Sequence, residues 1–172
     1  MRWRQVFLAF ALIIPAVAFE LSVLSRLGLP GATPDLVAVL VGAVAVVCGS
    51  GVGAIAGFTG GLLLDLVPPA DGIVGIWAAA FTIVGYLIGS RESLLLRGRF
   101  VAVLEVAAGG LAAVVGRVLL GGVLGDPRVV WQSLPVLLVT EFVYCLALAA
   151  LVLPVVAVLA RRLAPPGEAR SA

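Results

Sequence analysis

A run of 29 residues without a charged side chain, from Leu36 to Leu64, most constrains how this chain can fold. About 20 consecutive apolar residues are enough for a helix to cross the hydrocarbon core of a membrane. The composition agrees, since 63% of the 172 residues are hydrophobic and only 12% are charged. In a soluble domain, about a quarter of the residues are charged. The sequence therefore predicts an all-α integral membrane protein.

Within this run, glycine recurs at every fourth position. Gly49, Gly53, Gly57 and Gly61 follow this spacing, and the next step reaches Asp65. Residues four apart share one face of a helix, so this face is bare and another backbone can approach it closely. We expect these five residues to form a packing surface, either within the protein or against a partner helix. An aspartate in lipid is costly, which makes Asp65 a functional candidate.

Turn signals divide the chain into six predicted helices that form one membrane domain over residues 1–172. Proline, glycine and aspartate mark turns near residues 29–34, 68–72 and 125–127, and residues 90–99 form a charged loop. The helices are predicted at 5–26, 34–49, 52–68, 73–90, 100–124 and 132–160, and a flexible cytoplasmic tail is predicted at 163–172. Around Gly49, two possibilities stay open: a hairpin of two short helices, or one long tilted helix.

The distribution of arginines favours six transmembrane helices. With a cytoplasmic amino terminus, six spans place eight arginines inside, two outside and one within the membrane. Five spans place at best seven inside and three outside. Because cytoplasmic loops carry an excess of basic residues, six spans with both termini cytoplasmic are favoured. The first apolar stretch continues to Leu24, beyond a possible signal-peptide cleavage site at residues 16–18, which favours a retained helix.

Ionisable residues within the predicted spans form a second candidate site. We group four of them as an intramembrane charge cluster, comprising Glu20, Glu105, Arg117 and Glu141. Depth along the helices places all but Glu105 in the outer leaflet. An unpaired arginine there costs at least ~2.5 kcal/mol, so we expect Arg117 to pair with Glu141, or with Glu20 as second choice. The cluster is either a structural salt bridge or part of a proton or substrate pathway.

The residue types present exclude much enzyme chemistry. The chain has no histidine, and all eleven basic residues are arginine, so a histidine base and a Schiff-base or P-loop lysine are ruled out. Residues 49–54 match the dinucleotide-binding fingerprint, but no βαβ unit surrounds them. Cys48 and Cys145 have no CxxC partner and are expected to be buried free thiols. We expect no enzymatic activity, no cofactor, no metal and no nucleic-acid binding.

Three stretches, in order, resemble the MreD family of bacterial rod-shape-determining membrane proteins. The first is Pro-Asp-Leu at residues 34–36, at a predicted helix start. The second is G-x-x-x-G-F-x-x-G-L-x-x-D at residues 53–65, and the third is Val-Gly-Tyr-Leu at residues 84–87. The resemblance covers about residues 34–90, roughly a third of the chain.

The resemblance implies a non-catalytic scaffold subunit of the cell-elongation complex, which carries out peptidoglycan synthesis in rod-shaped bacteria. Such a protein lies in the bacterial inner membrane, in contact with membrane lipid, and binds an MreC-like protein. It works with the MreB cytoskeleton, a RodA-like glycosyltransferase and a class B penicillin-binding protein. The implied fold is a compact six-helix bundle similar to the substrate-binding subunits of energy-coupling-factor transporters.

Two other functions stay open. One is a vitamin-binding subunit of an energy-coupling-factor transporter. Against it, the first helix has no pair of alanines four apart, and only Trp77 and Trp131 are predicted near the outer surface as aromatic pocket residues. The other is a small ion or proton transporter, for which the buried charges are the only indication.

Overall fold

The computed structural model describes residues 2–26, 34–67, 74–91, 98–125 and 134–163. These residues form six α-helices and one 3-10 turn, without a β-strand. The helices are α1 (Arg2–Ser22), α2 (Leu36–Cys48), α3 (Ser50–Leu66), α4 (Ile76–Ser90), α5 (Arg99–Leu124) and α6 (Leu134–Leu163), and the 3-10 turn is Leu24–Arg26. Every helix begins and ends within four residues of its predicted bounds. The predicted tail at 163–172 lies, except for Leu163, outside the described residues.

Three helices of the described part are long and apolar enough to cross a membrane. They lie within Trp3–Arg26, Arg99–Leu124 and Pro135–Arg162, which contain 24, 26 and 28 residues. Helices α2, α3 and α4 are also apolar but have only 13, 17 and 15 residues. At 1.5 Å per residue these three are about 20 to 26 Å long, which is shorter than a hydrocarbon core of about 30 Å. The described part of the protein is thus all-helical and compatible with a membrane.

Helices α2 and α3 form a tight antiparallel hairpin. Gly49 alone separates them, and its φ of 86° lies in the left-handed region that glycine adopts without steric cost. Ala45 of α2 lies against Gly53 close to the turn, and Val37 lies against Gly60 farther from it. These contacts decide between the two possibilities for this segment: it is a hairpin, not one long helix.

Helix α2 is the centre of the bundle. It contacts each of the other five described α-helices, and the nine consecutive residues from Val37 to Ala45 are all buried. A helix that is apolar on every side is suited to such a position. Its small residues allow close approach, as where Gly42 meets Val106 of α5.

Helices that follow one another in the chain run antiparallel, which gives the bundle two distinct ends. One end holds the start of α2, the end of α3 and the start of α4, and we call it the carboxylate end because Glu20, Asp35, Asp65 and Glu141 lie there. The other holds the amino ends of α1 and α5 and the carboxyl ends of α4 and α6. We call it the arginine end because six described arginines lie there: Arg2, Arg4, Arg91, Arg99, Arg161 and Arg162.

The distribution of apolar side chains suits a lipid environment. The core consists largely of alanine and valine with a few larger residues such as Phe81 and Ile13, both fully buried. Large apolar side chains point outward instead: Phe7 and Phe100 are each 73% exposed and Val123 is 86% exposed. Such an apolar exterior is unfavourable in water and is compatible with contact to lipid tails.

Candidate functional site

The glycine face of α3 packs directly on the backbone of α4. A Cβ atom on Gly57 would overlap the Phe81 carbonyl, and one on Gly61 would overlap the Trp77 carbonyl. A Cβ on Gly53 would lie 2.6 Å from the carbonyl oxygen of Gly85. No side chain fits at these three positions unless the helices separate. The packing surface is therefore formed within the protein, between α3 and α4.

Helix α4 contributes glycines of its own to this contact. A Cβ on Gly85 would overlap the backbone of Gly53, and one on Gly89 would lie 2.5 Å from the Ser50 nitrogen. Like their α3 counterparts, Gly85 and Gly89 are four residues apart. This spacing is the sequence signal for their place in the contact.

Gly49 meets α4 through its backbone, since a Cβ on Gly89 would lie 2.6 Å from its carbonyl carbon, but its own Cβ position is open. No atom lies within 4 Å of the position that its Cβ would occupy. It forms the turn before α3, where its positive φ is the reason for a glycine. The four-residue spacing continues past the start of the helix, so spacing alone could not separate a turn glycine from a packing glycine.

Asp65 caps the amino end of α4. Its Oδ2 accepts hydrogen bonds from the backbone N–H groups of Gly75, at 2.9 Å, and Ala78, at 3.1 Å, while Oδ1 accepts from Trp77 at 3.3 Å. The N-cap position itself is Gly75, which has no side chain and a φ of 102°. The first N–H groups of a helix need an acceptor and favour a negative charge. Asp65 supplies both from the neighbouring helix, because it lies one turn beyond Gly61 on the face toward α4.

A second set of carboxylates surrounds the amino end of α2. Asp35 is the N-cap, and its Oδ1 accepts from the Ala38 N–H at 2.7 Å. Glu20 of α1 accepts from the Val37 N–H at 2.9 Å, and Glu141 of α6 lies close enough for its charge to act on Asp35. We call Glu20, Asp35 and Glu141 the α2 carboxylate cluster. It joins three separate chain segments at one helix start.

Arg117 of α5 connects this cluster with the start of α4. Its guanidinium carbon lies 4.8 Å from the centroid of the Trp77 ring, a cation–π geometry. The Arg117 charge also acts on Asp35 and Glu141 and favours their ionised forms. The structure therefore brings Glu20, Arg117 and Glu141 together, as expected. A direct ion pair between Arg117 and Glu141 stays a prediction.

Glu105 lies apart from the α2 carboxylate cluster, which corrects its assignment to the intramembrane charge cluster. It forms a 2.7 Å ion pair with Arg91. Twelve residues of α5 separate it from Arg117, or about 18 Å along the helix axis. Glu105 thus lies toward the arginine end, where the basic residue that follows α4 is its partner.

Asp35 and Cys145 also belong to the site, although neither was predicted to be part of it. Cys145 is buried, and its thiol donates to Glu141 Oε1 at 3.2 Å, one helical turn away on α6. Asp35 is only 5% exposed, and its Oδ2 has no hydrogen-bond partner among the described residues. The signal for Asp35 was its position directly before a helix and after a proline, which is typical of an N-cap.

The acidic side chains of the site position helix ends. Glu20, Asp35 and Asp65 each accept at least one hydrogen bond from a backbone N–H group near a helix start. Within the described residues, no group of acidic, histidine or cysteine side chains is arranged to hold a metal ion. Comparison with protein-family models, curated proteins and solved structures gave no match for this chain.

Proposed function

We propose that this protein is a membrane scaffold subunit of a bacterial cell-elongation complex, as its resemblance to the MreD family implies. The observation that supports this most is the shared role of the MreD-like residues. Asp35 starts α2, Gly53, Gly57 and Gly61 pack α3 on α4, and Asp65 caps α4. The residues that carry the resemblance are thus those that hold α2, α3 and α4 together, which suits a protein that acts through helix contacts.

The proposed topology has six membrane-crossing helices and places the arginine end in the cytoplasm. The helices alternate in direction. At the carboxylate end, Arg26 is the only described arginine that lies outside the α-helices. The basic residues of the other end would then satisfy the positive-inside rule. In this topology the protein lies in the bacterial inner membrane with both termini cytoplasmic.

The proposed partner is an MreC-like protein, bound through contacts between transmembrane helices. A RodA-like glycosyltransferase, a class B penicillin-binding protein and the MreB cytoskeleton are the further expected partners. The exposed apolar side chains of α1, α5 and α6 offer surfaces for such contacts within the membrane. We propose no catalytic turnover, because the polar groups of the site are used to position helices.

Loss of the protein from a rod-shaped host tests the proposal. We expect rounded cells, which a plasmid-borne copy restores to rods. Asp65→Ala should complement poorly, because the amino end of α4 loses its acceptor. Thr59→Ala on the same helix is the matched control, because the Thr59 hydroxyl bonds only to its own helix, at the Ile55 carbonyl. Normal cell shape together with a vitamin requirement would instead support a transporter subunit and refute the scaffold.

A further inference from the structure

We propose that the arginine end contains a binding site for one anionic phospholipid, in a groove between α5 and α6. The groove has a volume of about 320 Å³ and is lined by Arg99, Leu153, Pro154, Ala157, Val158 and Arg161. Two cations and an otherwise apolar wall thus share one concavity. This proposal does not depend on the function proposed above.

The two arginines are available for an anionic ligand. Both are exposed, and neither forms an ion pair with a carboxylate of the described residues. Arg91, at the same end, is different because Glu105 already neutralises it. The α5 N-cap next to Arg99 is Gly98, which has no side chain to accept from the first N–H groups of the helix. The mouth of the groove therefore favours negative charge, and guanidinium groups match the geometry of phosphate oxygens.

The apolar wall decides the kind of ligand. Leu153 and Val158 provide aliphatic surface, and Pro154 interrupts the hydrogen-bond ladder of α6 at the groove. Arg161 lies two turns beyond Leu153, so the charged and apolar parts are separated along the helix axis. That order matches a phosphate headgroup at the membrane surface and an acyl chain toward the bilayer core. Basic pockets between transmembrane helices at the cytoplasmic side bind anionic lipids in this way.

Native mass spectrometry of the full chain in detergent tests the site. Phosphatidylglycerol and phosphatidylcholine with identical acyl chains are titrated, and we expect preferential retention of one phosphatidylglycerol. The double variant Arg99→Gln/Arg161→Gln should weaken its affinity by about tenfold or more, given the attraction of each interfacial arginine for anionic lipid. Arg161→Gln should weaken binding more than the matched control Arg162→Gln, which removes the same charge one residue outside the groove.

Two further variants distinguish loss of the lipid site from loss of folding. Competition with inorganic phosphate distinguishes a lipid site from a free-phosphate site. Arg99→Lys/Arg161→Lys keeps both charges and should keep most of the affinity. Ala157→Trp keeps both arginines but fills the groove, so phosphatidylglycerol should be lost. Equal effects of Arg161→Gln and Arg162→Gln would overturn the proposal. Unchanged binding by Ala157→Trp, or displacement of the lipid by millimolar inorganic phosphate, would also overturn it.

Discussion

Asp65 shows how a costly residue in an apolar segment can stabilise the fold. It is 8% exposed, and its two oxygens accept from three N–H groups at the start of α4. We expect Asp65→Ala to lower the free energy of unfolding by about 1–2 kcal/mol, as loss of a helix cap does. Thermal unfolding in detergent measures this. Asp65→Asn keeps one acceptor oxygen and should fall between wild type and alanine; equal stability of all three proteins would refute the capping role.

Arg117 and Glu141 provide a second prediction for single residues. Because the Arg117 charge acts on Glu141, we expect a coupling of about 0.5–3 kcal/mol between Arg117→Leu and Glu141→Leu in a double-mutant cycle. The exposed pair Arg91 and Glu105 is the control, and its coupling should be about 0–1 kcal/mol. Additive effects of the two leucine substitutions would rule out the interaction between Arg117 and Glu141.

The contact between α3 and α4 makes the strongest prediction at the level of elements. Gly57→Ala places a methyl group against the Phe81 backbone and should destabilise the protein by about 1–3 kcal/mol. Gly51 is also in α3, but no atom lies within 4 Å of its Cβ position. Gly51→Ala should therefore be neutral or stabilise by up to about 1 kcal/mol, because alanine favours helix. Unfolding in detergent compares the two, and equal effects would contradict the backbone contact.

The helices were predictable from the sequence, whereas the partners of the polar residues were predictable only in part. Long apolar runs ended by proline and glycine turns locate α1 to α6 within a few residues. Spacing of four identifies the face that carries Gly53, Gly57 and Gly61, but it does not show that Gly49 forms a turn before the helix starts. Spacing on one helix also contains no information about its neighbour, so the role of Asp65 at the start of α4 could not be derived.

Depth along a helix likewise predicted where charged residues lie but not which partners they contact. It placed Glu20, Arg117 and Glu141 at one end of the bundle, and these three are found together. Asp35 was predicted at a helix start, but its contact with Glu20 and Glu141 depends on the packing of α1 and α6 and could not be derived. Depth separated Glu105 from these three, but it could not identify its partner, Arg91, which lies at the end of a different helix. Contacts between chain ends and neighbouring helices depend on packing, which one-dimensional patterns do not describe.

For the whole molecule, the alternating direction of the helices predicts that the two ends of the bundle face opposite sides of the membrane. Ser25 lies at the carboxylate end and Ser90 at the arginine end, and both are exposed. In a Cys48→Ala/Cys145→Ala background, Ser25→Cys should react with a membrane-impermeant maleimide in intact spheroplasts. Ser90→Cys should react only after permeabilisation. The reverse pattern would show that the arginine end faces outward, and labelling of both sites would contradict the membrane topology.

The proposed scaffold role is tested most directly by purifying the tagged full chain from native membranes and identifying the proteins that come with it. We expect an MreC-like protein to co-purify with the wild type and with Gly51→Ala. Recovery should fall for Gly57→Ala in proportion to the lost contact between α3 and α4. Co-purification of an ATPase module and a bound vitamin, without an MreC-like protein, would contradict the scaffold role.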